Sequence, residues 1–427
     1  MDKHYHMKRL LILLILPVQM AFGQTGQVTL EECYKQAREN YPKLSDLDRE
    51  RQMNHLKVKN LNANWLPTVN LNGQATYQSD VTSVPVSIPG VNISAPSKDQ
   101  YKVYIDLHQN IYDGGLTKAQ KEVDAANLAT DKQKLEVEMY SLNDRVNQLY
   151  FGIILMQKSH QVLELKKNSI TERLRVLESG FKNGVVQARN VETLRAEKIL
   201  TDQQIEEVDA NRVAAVKSLA VLTGLPVDGN TKFQAPAIVQ ENKDWQRPEL
   251  KLYNQMENGI DKSADLIAKT RNPKVFGFGQ VGYGKPGLNM LQSEFNSYYY
   301  VGVGVKWNVF DWKQSRRKRE VLDIQKQMIN SSRETFKQNV NMALVQSSQN
   351  IQKLESLIST DEQLVSIRDK VAAQSASQLE NGVITSADYV TDLNAEIQAR
   401  INLESRKVQY LQAVVNYNTL TGNLSNN

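Results

Sequence analysis

Two segments of this chain, residues 115–179 and 313–378, contain neither a proline nor a long polar loop. In the first, Leu128, Leu135, Leu142, Leu149, Met156, Leu163, Ile170 and Leu177 recur every seven residues. A second seam passes through Met139, Val146, Ile153 and His160. From Val146 onward its counterparts 198 residues later are Leu344, Ile351 and Ile358. An apolar period of seven sustained over this many turns specifies helices packed as coiled coil. At 1.5 Å per residue, some 65 residues make a rod of roughly 100 Å. A compact domain has no place for such an element, so the rods dictate the architecture.

The rods belong to a duplication. Ile111-Tyr112-Asp113 resembles Val309-Phe310-Asp311, Asn183-Gly184-Val185-Val186 resembles Asn381-Gly382-Val383-Ile384, and Leu222-Thr223-Gly224 matches Leu420-Thr421-Gly422, all 198 residues apart. Nearer the N-terminus, Tyr41-Pro42 against Arg247-Pro248, Pro67 against Pro273 and Tyr77 against Tyr283 are 206 apart. The difference of eight falls between Tyr77 and Tyr101, compared with Tyr283 and Tyr299. The halves share one plan and differ by one loop.

Each repeat is expected to run helix, helix, strand, strand, very long helix, tip, helix. The first spans 24–224, with strands about 67–78 and 101–112, a long helix about 115–179, a tip at 180–186 and a helix at 187–221. A linker, 225–240, leads to the second, 241–427, with strands about 273–284 and 298–309, a long helix about 313–378, a tip at 379–385 and a helix at 386–420. Thr29 and Glu32 form a capping-box pattern at the first helix, and Pro42 interrupts it. A second helix, 43–65, stops before Pro67. The second helix and the returning helix together approach the length of the rod, so they can stack end to end beside it.

Lys3, Lys8 and Arg9 precede the apolar run Leu10 to Leu16, and Ala21-Phe22-Gly23 supplies small residues for cleavage before Gln24. This is the pattern of a secretory signal peptide, residues 1–23. Its removal takes three basic residues and Asp2 from a formal net charge of +5, leaving +3. No further apolar run approaches 20 residues, which excludes a bundle of membrane helices. One cysteine, Cys33, excludes a disulfide framework. The three histidines of the mature chain, His55, His108 and His160, are scattered, so neither a metal site nor a cofactor site is expected. There is no nucleophile elbow or phosphate loop to suggest an enzyme, and the charge is too diffuse for nucleic acid.

The strand segments have a period of two. Val69, Leu71, Gly73, Ala75 and Tyr77 alternate with Thr68, Asn70, Asn72, Gln74 and Thr76, and Tyr101, Val103, Ile105 and Leu107 alternate with polar neighbours. In the second repeat Tyr299, Val301, Val303, Val305, Trp307 and Val309 face one way, with glycines and Lys306 and Asn308 between them. Strands of about ten residues match a tilted crossing of a bilayer. Aromatics gather at both ends: Tyr112, Trp307, Phe310 and Trp312 near the helices, and Tyr77, Tyr101, Tyr283 and Tyr299 at the far side. Two aromatic girdles are the interfacial pattern of outer-membrane barrels. A sheet in lipid must close, and four strands are too few. Several copies must contribute: eight strands from a dimer or twelve from a trimer.

The chain resembles the TolC-like outer membrane factors, the outer membrane efflux protein family. The resemblance is carried by Leu30-Glu31-Glu32-Cys33 leading to Asn40-Tyr41-Pro42, Tyr112-Asp113-Gly114-Gly115, Asn183-Gly184-Val185, Leu393-Asn394-Ala395-Glu396 and the Leu-Thr-Gly ends of both repeats. It implies a mainly α fold with a β-barrel part. Three chains would close a twelve-stranded barrel in the outer membrane and an α-barrel across the periplasm. The implied function is the exit duct of a tripartite efflux or type I secretion system. Its partners would be two further copies, a periplasmic adaptor, an inner-membrane RND or ABC transporter, and outer-membrane lipid, with no nucleic acid. Many family members are lipoproteins; here no cysteine stands at the expected cleavage point, and Cys33 lies nine residues beyond Gln24.

The resemblance also places sites. The tips, with Asn183, Gly184, Val185 and Val186 in one repeat and Asn381, Gly382, Val383 and Ile384 in the other, would meet the adaptor. Asp388 and Asp392, four apart on one helical face, are candidates for the carboxylate ring of a closed periplasmic entrance, with Asn190 at the matching place in the first repeat. Such a ring favours cations. The plain alternative is two solvated acids on a coiled coil. The polar strand faces would line the lumen. The run Arg316-Arg317-Lys318-Arg319 would lie beneath the barrel, as a solvated face or against lipid headgroups. The loop 78–100 is read as extracellular. The competing reading of the whole chain is a non-conducting periplasmic structural or adaptor coiled coil.

Overall fold

The computed structural model describes residues 27–82, 96–237 and 245–423. The signal-peptide residues and most of the loop 78–100 lie outside these. Eight α-helices, a short 3-10 turn at Pro42–Ser45 and one sheet make up the regular structure of the described residues. The helices and strands are α1 (Leu30–Glu39), α2 (Asp46–Ala63), β1 (Thr68–Tyr77), β2 (Asp99–Tyr112), α3 (Leu116–Tyr140), α4 (Leu142–Lys182), α5 (Ala188–Thr223), α6 (Pro248–Lys269), β3 (Lys274–Lys285), β4 (Asn296–Lys306), α7 (Gln314–Glu380) and α8 (Ser386–Thr421). The order α2-β1-β2-α3/α4-α5 recurs as α6-β3-β4-α7-α8, the duplication read in the sequence.

The 67 residues of α7 form one rod of roughly 100 Å. Its counterpart is divided at Ser141, whose Oγ donates to the Glu138 carbonyl at 2.7 Å. Its amide is shared between the Val137 and Glu138 carbonyls, both at 3.2 Å. A serine side chain that competes for the helical carbonyls bends a helix. Asn339 stands at the matching place in α7, which is continuous there. The shorter helices share out the rods: α2 and α6 pack on α3, α5 and α8 pack on α4, and α6 and α8 pack on α7.

The largest apolar core lies midway along the rods. It joins Leu30, Cys33 and Ala37 of α1 to Val146, Tyr150, Phe151 and Ile153 of α4 and to Val216 and Leu219 of α5. The Tyr150 hydroxyl lies 2.8 Å from the Val28 carbonyl oxygen and 2.7 Å from that of Gln234. It ties the N-terminal segment to the inter-repeat linker, which also meet in a parallel bridge at Val28 and Phe233. At α1, Thr29 accepts the Glu32 amide at 3.2 Å, half of the expected capping box.

Strand becomes helix in the same way in both repeats. Asp113 accepts the amides of Gly115 and Thr117 at 2.9 and 2.6 Å, and Asp311 accepts that of Ser315 at 2.9 Å. The two residues after the aspartate have positive φ. In the first repeat they are Gly114 and Gly115; in the second they are Trp312 at 52° and Lys313 at 62°, a conformation unfavourable for side-chain-bearing residues.

Candidate duct wall and helical tips

The sheet is antiparallel in the order β1-β2-β3-β4, so β1 and β4 are edges. Val69, Leu71, Val301, Val303 and Val305 are all more than 60% exposed and lie on one face. Among the described residues no helix packs across either face, yet along β2 exposed and half-buried positions alternate. An uncovered sheet shows that difference when it is curved, and the half-buried face is the concave one. The apolar residues are therefore on the convex side, which in a closed barrel contacts lipid.

The concave face differs between repeats. In the first it carries Asn70, Asn72, Gln74, Tyr104 and Asp106. The Asp106 carboxylate accepts from Asn72 Nδ2 and Gln280 Nε2, both at 2.8 Å. In the second it carries Phe276, Phe278, Tyr298 and Tyr300. The ends of the Phe276 and Phe278 rings cover Gly304 and Gly302, and a Cβ on either glycine would lie 2.5 Å from ring carbon. His108 stacks on Phe276 with centroids 4.9 Å apart, and Phe278 meets Tyr300 edge-on at 6.2 Å. The polar wall expected from the alternation holds for β1 and β2. On β3 Phe276 and Phe278 point inward, while Gly277 and Gly279 point outward along with Val281 and Tyr283. Trp307 and Asn308 lie past the end of β4, and Trp307 Nε1 donates to the Arg271 carbonyl at 3.1 Å.

All eight girdle residues are exposed. Tyr77, Tyr101, Tyr283 and Tyr299 lie at the sheet end remote from the helices. Tyr112, Trp307, Phe310 and Trp312 lie at the helical end, where Phe310 and Trp312 meet at 4.8 Å. The basic run at the start of α7 is exposed, with Arg316 paired to Glu320 at 2.9 Å. Arg316 and Arg319 line a cleft of about 660 Å³ with Arg271, Trp307 and Asp323.

At the opposite end of the rods both tips close in one geometry. Gly184 and Gly382 adopt φ of 75° and 70°. The Gly184 amide donates to Phe181 and that of Val185 to Gly180; Gly382 donates to Leu379 and Val383 to Gln378, at 2.8–3.0 Å. This is the Schellman pattern of a helix end. Nothing lies within 4 Å of a Cβ placed on either glycine, so the backbone angle, and not crowding, calls for glycine. Val185 and Val383 are 80% and 70% exposed. The residues after them, Val186 and Ile384, pack on the core formed by Ile170, Leu177, Leu194, Tyr389 and Leu393. Each tip thus holds one valine out and one aliphatic side chain in.

The tip carboxylates are engaged within the chain. Asp388 Oδ2 accepts from the Thr385 amide at 3.0 Å and from its hydroxyl at 2.7 Å, and the Asp388 amide donates back to Thr385 Oγ1. This capping box opens α8. These bonds from Thr385 hold the carboxyl below the usual aspartate range. Asp392 accepts a short bond from Ser375 on α7. Asn190 Oδ1 accepts the amide of Ser386 at 3.2 Å. Reading the sequence missed the capping box, although Thr385-x-x-Asp388 is its signature.

Three comparisons bear on this architecture. The sequence profile of the family described as "outer membrane efflux protein" matches residues 33–225 and 246–423. No curated protein matches the chain. Among solved structures, a crystal structure of CusC superimposes with a TM-score of 0.67 at 13% identity, covering 95% of this chain and 96% of that one. The outer membrane protein VceC of Vibrio cholerae gives 0.63 at 13% identity over 91% and 95%. The open-state MtrE outer membrane channel of Neisseria gonorrhoeae gives 0.63 at 14% identity over 93% and 89%.

Proposed function

Because this chain belongs to the outer membrane efflux protein family, an efflux duct of the Gram-negative outer membrane that extends into the periplasm, we propose that three copies complete the duct. The observation that carries this reading is the sheet: four strands with one apolar face and two unpaired edges at the end of a rod. Unpaired backbone is intolerable in hydrocarbon, so other copies must supply the missing neighbours. Three protomers give twelve strands, enough for a water-filled lumen.

The tips are the periplasmic contact in this reading. Val185 and Val383, held outward on rigid turns, offer the adaptor apolar contacts, and an inner-membrane RND or ABC transporter completes the system. Asp388 and Asp392 fix α8 at the entrance through Thr385 and Ser375, and any effect on passing cations is secondary to that. The test is to purify the protein from outer membranes, measure its mass in detergent and insert it in planar bilayers. A trimer with stable conductance supports the duct. A folded trimer that never conducts favours the non-conducting periplasmic spacer.

A further inference from the structure

The concave face of the sheet carries four charged residues: Lys102, Asp106, Lys274 and Lys306. Lys274 and Lys306 are direct partners across β3 and β4 at the helix-proximal end. Like charges directly opposite destabilise a sheet. Neither forms an ion pair among the described residues. Asp106 lies six residues further along β3's register, about 20 Å away, and both of its oxygens are occupied by amide N–H groups. At 0.1 M salt the screening length is about 10 Å, so Asp106 does not offset the lysines. The next inward residues beyond Lys274 are Phe276 and Phe278, the start of the aromatic chain that reaches Tyr300.

A lysine pair with no ion-pair partner among the described residues, set beside a row of rings, is a local conflict of the kind that marks a functional site. Resting on the duct reading, we infer that the base of the barrel lumen is a transient binding station for aromatic anions, such as aryl carboxylates and sulfonates. The lysines attract the anionic group, and the rings of Phe276, Phe278 and Tyr300 supply a stacking surface. Threefold symmetry makes this a ring of six lysines.

The experiment uses the full-length protein in planar bilayers at 0.1 M KCl or below. Under a KCl gradient the reversal potential should show anion preference, and Lys274→Gln with Lys306→Gln should abolish it while Lys274→Arg with Lys306→Arg keeps it. 1-Naphthalenesulfonate should block at a concentration about fivefold lower than methanesulfonate, the size of one ring contact. Phe276→Leu with Phe278→Leu should remove that difference. A conducting wild type without anion preference, an unchanged preference in the glutamine variant, or equal block by the two sulfonates overturns the inference and leaves the duct reading standing. Absence of all conductance overturns the duct reading and this inference with it.

Discussion

Asn190 of the first repeat caps a helix of the second: its Oδ1 accepts the Ser386 amide, 3.2 Å away, in the first turn of α8. Asp388, at the matching place in the second repeat, caps its own helix through Thr385 instead. One tip is self-contained, and its neighbour reaches across. Asn190→Ala should therefore loosen α8, by about 1 kcal/mol for a lost cap. The expected readout is faster amide exchange across residues 383–389, with Asn190→Asp, which keeps the acceptor, close to wild type.

Acid should act at the same turn through Asp388. Its carboxyl is held below the ordinary aspartate range by the Thr385 bonds. A carboxyl lowered in the folded state stabilises above its unfolded pKa, about 3.9, and that contribution disappears as pH falls through the folded value. Thermal unfolding of wild type and Asp388→Asn should differ at pH 6, and the difference should begin to shrink below about pH 4 and vanish once pH is under the folded value. A difference that does not shrink between pH 6 and pH 3 would contradict the capping role.

Between α4 and α5, Lys166 and Glu197 form a pair at 2.7 Å and are 4% and 9% exposed. Removing one partner leaves a buried charge unmatched, at a cost of about 3–5 kcal/mol, whereas replacing both with apolar residues is often neutral. Glu197→Ala should lower the unfolding temperature markedly. Lys166→Met with Glu197→Leu should recover most of the loss.

Trp312 and Lys313 occupy left-handed backbone where the first repeat has Gly114 and Gly115. Lys313→Gly should relieve about 1 kcal/mol of strain, and Gly115→Lys should impose a similar penalty. Urea unfolding of the two variants should move in opposite directions.

At the tips, Val383→Asp and Val185→Asp change side chains that are exposed and make no core contact. Unfolding temperature should stay within the small range of surface substitutions. Capture of the adaptor and efflux in cells should fall together. Unaltered adaptor capture by the double variant would remove the tips from the docking surface.

The duplication, the rods and the tip turns were all legible because each is written as period or punctuation: heptads, constant offsets, Asn-Gly. The second repeat's seam was less so. Where the first repeat has Leu128, Leu135 and Leu163, the second has Lys326, Arg333 and Asp361. These pair with Asp261, Glu257 and Arg406. An apolar count does not register ion pairs, so contact persists where the pattern fades. The division at Ser141 arises from a single hydroxyl and leaves the heptad intact. Asn190 reads in the sequence as a counterpart of Asp388, but the amide it accepts from is 196 residues distant in sequence, beyond the reach of any local pattern. The inward aromatics of β3 were hidden because glycines alternate with them, and glycine gives no sign of which side is lipid.

The two open edges of the sheet carry a consequence for how this protein comes into being. β1 and β4 each present a row of unsatisfied backbone groups flanked by exposed valines and leucines, the template on which chains aggregate. On the proposal that several copies close the sheet, a lone copy is an adhesive species until it meets others. Its measured melting point should rise with protein concentration. If several copies close the sheet, as proposed, the native state belongs to a population of chains, and dilution is its denaturant.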